Sequence, residues 1–327
     1  MKILVTGGSG FIGSHVVDRL IAHGHEPRIF DLVPSTHHDP RQVETLVGDV
    51  LDRNALGRAM RGCQAVVHLA AVADVDRVAA EPSHSELVNG RGTDVLLDVA
   101  RSQELERVVY ASTVWVYGDL QRPAPLDEDA LLPLPSHLYT ATKLAGEMYC
   151  RAYGELYGLA HTILRFGIPH GPRSGPTAVV AAFVARALAG EPLTINGDGA
   201  QSRQFVYVED LAEGVVAALA PLAAGRIYNL VGDESVTVRE IAETVRELVG
   251  DVPIVHAAPR LADLRRTEIS GDRAARELDW QPTTPFAEGV RRYASWVTGT
   301  NGKSRSETVS RIDGSAATVL RHESEAL

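Results

Sequence analysis

The chain has 327 residues, 45% hydrophobic and 23% charged. That is length for about two domains and apolar content for a full core. Its 29 glycines and 17 prolines follow no period, which excludes a collagen-like or wholly disordered chain.

A formal net charge of −10 argues against a general nucleic-acid surface, which needs a basic field, yet a few local arginines could still hold a small anionic substrate. The best apolar stretch, residues 178–190, is broken by Arg186 and falls short of a membrane span. The very short apolar segment before Gly7 and Gly8 lacks a signal peptide's longer apolar region and cleavage site, so export is not expected. Two distant cysteines, Cys63 and Cys150, form no ligand spacing and suit a reducing cytoplasm, where each is expected to be a small buried apolar residue.

In chain order, β-branched runs at residues 2–6, 27–31, 44–47, 65–68, 107–111 and 161–165 predict strands. Amphipathic segments at 11–23, 53–60, 86–102 and 139–157 predict the helices between them. This alternation predicts an α/β fold, a Rossmann-type doubly wound parallel sheet with a smaller C-terminal α/β substrate domain. From Gly167 the texture changes to Pro/Gly-rich loops (168–176, 196–200) and helices at 178–189, 208–220 and 238–248. The expected division is residues 1–166 for the cofactor domain, with 205–230 returning to it, and 167–204 plus 231–297 for the substrate domain. Residues 298–327 read as a polar flexible tail, and no solenoid repeat is visible.

Between the first strand and helix, Gly7-Gly8-Ser9-Gly10-Phe11-Ile12-Gly13 satisfies dinucleotide-binding glycine spacings through Gly7, Gly10 and Gly13. Glycine permits the tight turn and close approach to a pyrophosphate, and the following helix points its N-terminus at the phosphates. Asp31 ends the next strand, where a carboxylate accepts from the ribose hydroxyls and repels the extra phosphate of NADP, so the expected cofactor is NAD. Asp49 is a candidate for the adenine end, against a plain turn aspartate.

Tyr139 and Lys143 stand one helical turn apart on one face. A free phenol titrates near 10, and an ammonium about 4 Å away offers roughly 4 kcal/mol toward the phenolate at an effective dielectric near 20. Thr113, at the carboxyl end of a central strand, can present its hydroxyl to a substrate oxygen.

The chain resembles the extended short-chain dehydrogenase/reductases, specifically the nucleotide-sugar epimerases and dehydratases. The resemblance spans about residues 2–296 and is carried by the glycine loop, His68-Leu69-Ala70-Ala71, Asn89 with Gly92-Thr93, residues 113–118, Tyr139 to Lys143, Gly171-Pro172-Arg173 and residues 203–210. It implies that Tyr139 is the general base, that Lys143 holds the nicotinamide ribose and lowers the phenol pKa, and that Thr113 shares the substrate hydroxyl. It further implies cofactor contacts at Gly7, Gly10, Phe11, Ile12, Gly13, Asp31, Asp49, Val50, Leu69, Ala70, Ala71, Asn89, Tyr139 and Lys143. Substrate contacts are implied at Thr113, Tyr139, Arg203 and Arg173, with Arg203 on a diphosphate. The implied partners are a nucleotide-diphosphate sugar and a second copy of the chain, paired through helices 86–102 and 139–157. No nucleic acid, membrane or metal partner is expected.

Similar dehydratases carry Asp-Glu directly after the Thr, and similar decarboxylases a Glu two residues after it; this chain has Val114 and Trp115 there. The reading is therefore C4 epimerisation of a UDP-hexose or UDP-uronic acid through a transient 4-keto sugar, with a net keto-sugar reductase or dehydrogenase, a dehydratase or decarboxylase, and a non-catalytic NAD-binding protein as alternatives. Trp115 is expected to form either a wall of the sugar site or packing. His170 reads as a loop histidine, and His37-His38-Asp39 lacks the spacing for a metal. Glu209-Asp210 reads as stabilising a helix start, and Arg265-Arg266 as possible extra charge near the diphosphate.

Overall fold

The computed structural model describes residues 1–118, 124–258 and 268–299. Arg265, Arg266 and residues 300–327, most of the expected tail, lie outside the described residues.

The first half runs β1 (Lys2–Thr6), α1 (Phe11–Ala22), β2 (Glu26–Asp31), β3 (Thr45–Val47), α2 (Arg53–Met60) and β4 (Ala65–His68). Two short helices follow, α3 (Val75–Ala80) and α4 (Pro82–Glu86), then α5 (Gly92–Ser102), β5 (Arg107–Thr113), α6 (Leu138–Tyr157) and β6 (His161–Phe166). The second half runs β7 (Ile168–His170), α7 (Val179–Ala189), β8 (Leu193–Asn196), β9 (Ser202–Tyr207), α8 (Val208–Ala217) and β10 (Arg226–Leu230). It ends with β11 (Ser235–Thr237), α9 (Val238–Leu248), β12 (Ile254–Ala257), α10 (Asp272–Leu278) and α11 (Phe286–Thr298).

Seven strands form one parallel sheet in the order β10-β6-β5-β4-β1-β2-β3. Its nearly unbroken apolar strands follow from burial on both faces. Ile3, Val5, Val67 and Val109 face one core with α1 and α8, while Leu4, Val66, Val108 and Tyr110 face the other with α2, α5 and α6. Each such side chain contributes about 1.5–3 kcal/mol by leaving water. The order reverses at β1 and β4, so their carboxyl ends open the crevice in which this architecture binds ligands.

The smaller lobe packs α7, α9 and α11 around β8 and β9 through Val184, Ile195, Phe205, Ile241 and Val290. Its strands form the sets β11-β9-β7 and β12-β8. No helix among the described residues is long and apolar enough to cross a membrane.

Several boundaries differ from the sequence reading. The helix expected over 86–102 contains a π-helical turn at Leu87–Arg91, where the Asn89 carbonyl accepts from Thr93 Oγ1 at 2.6 Å. The helix expected to reach residue 220 stops at Ala217, and the buried Arg107 guanidinium donates to the carbonyls of Ala218 and Ala220 just past its end. Strand β5 runs on to Thr113, since pairing with β6 continues to Phe166. β7, read as loop, is a three-residue strand paired with β9.

Candidate active site

The loop after β1 turns at Gly7, whose φ of +72° is unfavourable for residues with a side chain. A Cβ at Gly13 would stand 2.1 Å from the Gly7 carbonyl oxygen, so α1 can lie this close to the loop only with glycine there. Gly10 caps α1 without a side-chain acceptor, leaving the first-turn N–H groups for an anion.

A cleft of about 580 Å³ begins at this loop. Its wall takes in Gly7, Gly10, Phe11, Ile12, Gly13, Asp31, Asp49 and Val50, continues over Leu69, Ala70 and Ala71, and ends at Ala111, Ser112, Tyr139 and Lys143. Sequence reasoning thus collected half of the wall; among the residues it missed are Val72, Asp74, Arg77, His84 and Pro169, which no glycine or strand-end pattern marks.

Asp31 accepts the Ser9 N–H at 3.0 Å, which aims its carboxylate beside the glycine loop. Burial raises its pKa and the backbone N–H of Ser9 opposes that. Asp49 lies on the wall and closes its own turn by accepting the Leu51 N–H at 2.9 Å.

Asn89 does not reach the cleft. Its side chain is buried, accepting from the Val72 N–H at 2.8 Å and donating to the Val72 carbonyl at 3.0 Å and to Thr142 Oγ1 at 3.1 Å. It pins the loop after β4 to α6 and shapes the cofactor wall from behind. His68 does similar work: its ring bridges Thr6 Oγ1 at 2.7 Å and Thr93 Oγ1 at 3.1 Å. Full burial pushes its pKa down to about 3.

At the far end, α6 begins at Leu138 with His137 as its cap, the His137 ring accepting the Thr140 N–H at 3.4 Å. Lys143 Nζ donates to the Ala111 carbonyl at 2.9 Å and lies 6.0 Å from the centre of the Tyr139 ring. Burial pushes the Tyr139 phenol up to about 12 and the Lys143 ammonium down to about 8.

Thr113 ends β5 beside this pair, buried just behind the cleft wall, with its hydroxyl accepting the Trp115 N–H at 3.3 Å. Ser112, which does line the cleft, donates to Glu147 at 2.5 Å. Glu147 takes Arg165 in a two-pronged ion pair at 3.0 and 2.8 Å, and Arg165 reaches the Tyr117 hydroxyl at 2.9 Å. Glu147 stands four residues beyond Lys143, a spacing that could have marked it as sharing the helix face.

The two arginines expected on the substrate lie outside the wall. Arg173 pairs with Asp18 of α1 at 2.8 Å, from a backbone φ of +68°. Arg203 lies on β9 opposite Val236 and donates to the Ser202 carbonyl at 2.8 Å. His170 is buried among Phe205, Tyr207 and Phe286, which lowers its pKa to about 4. His38 bonds Asp18 at 3.0 Å and Asp39 pairs with Arg41, so that loop is held by a hydrogen bond and an ion pair. Glu209 pairs with Arg19, and Asp210 accepts from Thr283 and Thr284, so both carboxylates tie α8 to neighbouring segments in addition to standing in its first turn.

Residues 3–231 match the NAD dependent epimerase/dehydratase family. A UDP-glucose 4-epimerase of Mycolicibacterium smegmatis is 35% identical over 308 residues, covering 89% of this chain and 97% of that one. A dTDP-glucose 4,6-dehydratase of Shigella flexneri is 31% identical over 338 residues, covering 90% and 92%. Among solved structures, the UDP-glucose 4-epimerase of Thermotoga maritima with UDP-glucose superposes with a TM-score of 0.87 at 31% identity, covering 92% of this chain and all of that one.

Proposed function

The chain belongs to the NAD dependent epimerase/dehydratase family, and within it we propose that this protein epimerises carbon 4 of a UDP-hexose or UDP-uronic acid with Tyr139 as general base. The observation that carries the reading is the composition of the reacting end of the cleft. Tyr139 and Lys143 line it beside Ala111 and Ser112 at the end of β5; the other ionisable residues of the wall are Asp31 and Asp49 by the glycine loop and Asp74, Arg77 and His84 on the segment after β4. Glu147 is bound to Arg165 and Ser112, and Val114 and Trp115 follow Thr113. Dehydration or decarboxylation calls for a further acid or base there; epimerisation does not.

NAD is the cofactor, and the cradle fits it: a glycine turn with free first-turn N–H groups, an aspartate at the end of β2 and an apolar wall leading to Tyr139. When bound it supplies a hydride acceptor and donor, and in its oxidised form a positive ring that adds to Lys143 in favouring the phenolate. Tyr139 takes the hydroxyl proton as the sugar carbon is oxidised and returns it when the carbon is reduced on its other face. Lys143 holds positive charge at the strand end through Ala111 and offers its remaining N–H groups toward a ribose. Ser112, braced by Glu147, and Thr113 supply hydroxyls beside the phenol.

The protein acts as a homodimer in this reading. Ala141, Ala145, Met148, Tyr149, Ala152 and Leu156 make an apolar stripe along the outer side of α6, with Leu156 70% exposed. Its two free thiols suit the cytoplasm.

The test is conversion of UDP-glucose or UDP-glucuronate to its C4 epimer by the purified protein. Turnover without added NADH and without a net change in NADH absorbance supports the epimerase; steady NADH consumption overturns it in favour of a reductase.

A further inference from the structure

The protein has three tryptophans. Trp280 donates its indole N–H to the Asp210 carbonyl at 2.8 Å, and Trp296 is 44% exposed and within reach of water. Trp115 differs from both. Its Nε1 is shielded from solvent and has no hydrogen-bond partner among the described residues. A buried donor left unpaired costs about 1–3 kcal/mol, and in native proteins such a group calls for an explanation.

Its surroundings supply one. Trp115 sits in the turn directly beyond β5, two residues after Thr113. Its ring meets Tyr139 nearly perpendicular at 6.1 Å and His137 at 5.1 Å, while His137 lies nearly parallel to Tyr139 at 6.4 Å. It packs against the apolar cluster of Val114, Val116, Leu126 and Val231, which Leu132 and Leu144 also join. The residue as a whole remains partly accessible. An indole with an unpaired donor is thus packed against the ring of Tyr139.

We infer that the indole N–H of Trp115 donates to an acceptor oxygen of the sugar held against Tyr139, making Trp115 a substrate-binding residue that reads the sugar and ignores the nucleotide. The inference rests on the nucleotide-sugar reading of the cleft. A hydroxyl or keto oxygen of the hexose completes the donor, and the perpendicular rings form a wall against which the sugar turns.

The test uses the full-length, NAD-loaded protein labelled with nitrogen-15, whose three indole N–H signals are followed by NMR. Trp115→Phe assigns one signal by its loss; should that variant fail to bind NAD, Trp280→Phe and Trp296→Phe assign it by elimination. UDP-glucose is expected to move the Trp115 signal downfield and slow its exchange with water, whereas UDP alone leaves it in place. By calorimetry, Trp115→Phe is expected to weaken UDP-glucose about 10-fold, the worth of one hydrogen bond, with UDP and NAD affinities unchanged. A Trp115 signal indifferent to UDP-glucose, or equally sensitive to UDP, overturns the inference and leaves the nucleotide-sugar reading standing. A wild-type protein that binds neither UDP nor UDP-glucose overturns that reading, and the inference with it.

Discussion

Lys143 Nζ donates to the carbonyl of Ala111 at 2.9 Å, so one turn beyond Tyr139 the helix α6 is tied through a charged group to the last residues of β5. The strand that presents Ser112 and Thr113 and the helix that presents the phenol are thereby held in one arrangement.

Replacing Tyr139 by Phe keeps the ring and removes the proton acceptor. Turnover is expected to fall about 10²–10⁴-fold, the usual range for a general acid–base group, while NAD titration by fluorescence gives an unchanged affinity. Loss of both together would show that the phenol serves the fold.

Burial of Lys143 favours its neutral form, bringing its pKa to about 8, against about 10.4 in an unfolded chain. Between those values the unfolded state binds more protons, so this group's contribution to stability rises with pH through the window, by up to about 3 kcal/mol. Urea unfolding of wild type and Lys143→Met at about pH 8 and about pH 10 isolates the contribution: the wild type is expected to gain relative to the variant as pH rises.

His68 follows the same sign in a lower window. Burial lowers its pKa to about 3 from the ordinary 6.5 of a free imidazole, so its contribution to stability is fully present above about 6.5 and is lost as pH falls toward 3. At pH 5 the loss is about 2 kcal/mol. His68→Asn, which cannot take up a proton, is expected to start less stable at neutral pH and to lose less on acidification, read from urea midpoints at the two pH values.

Asp31→Asn removes the charge from the acceptor at the ribose position. NAD is expected to bind about 10- to 100-fold more weakly, the worth of a hydrogen bond to a charged group, and the preference over NADP to narrow. Equal losses for both cofactors would place Asp31 away from the ribose.

Leu156→Glu puts a charge in the exposed apolar stripe of α6. Sedimentation is expected to show a dimer for the wild type and a monomer for the variant; two identical profiles would remove α6 from the interface.

The sequence by itself determined the alternation of strands and helices, the glycine turn before α1, the acidic end of β2 and the placing of Tyr139 and Lys143 on one helix face. Each of these is written in local periodicity or in the conformational freedom of a few adjacent residues. Tertiary structure alone decided that Lys143 turns to Ala111 across 32 residues, that Arg173 is taken by Asp18, and that Asn89 closes on Val72 and Thr142 behind the wall. It also decided that the Tyr139 phenol is buried, which raises its pKa. The reason is the same throughout: a partner's identity and the withdrawal of water are set by segments far apart in the chain, and no run of neighbouring residues encodes them.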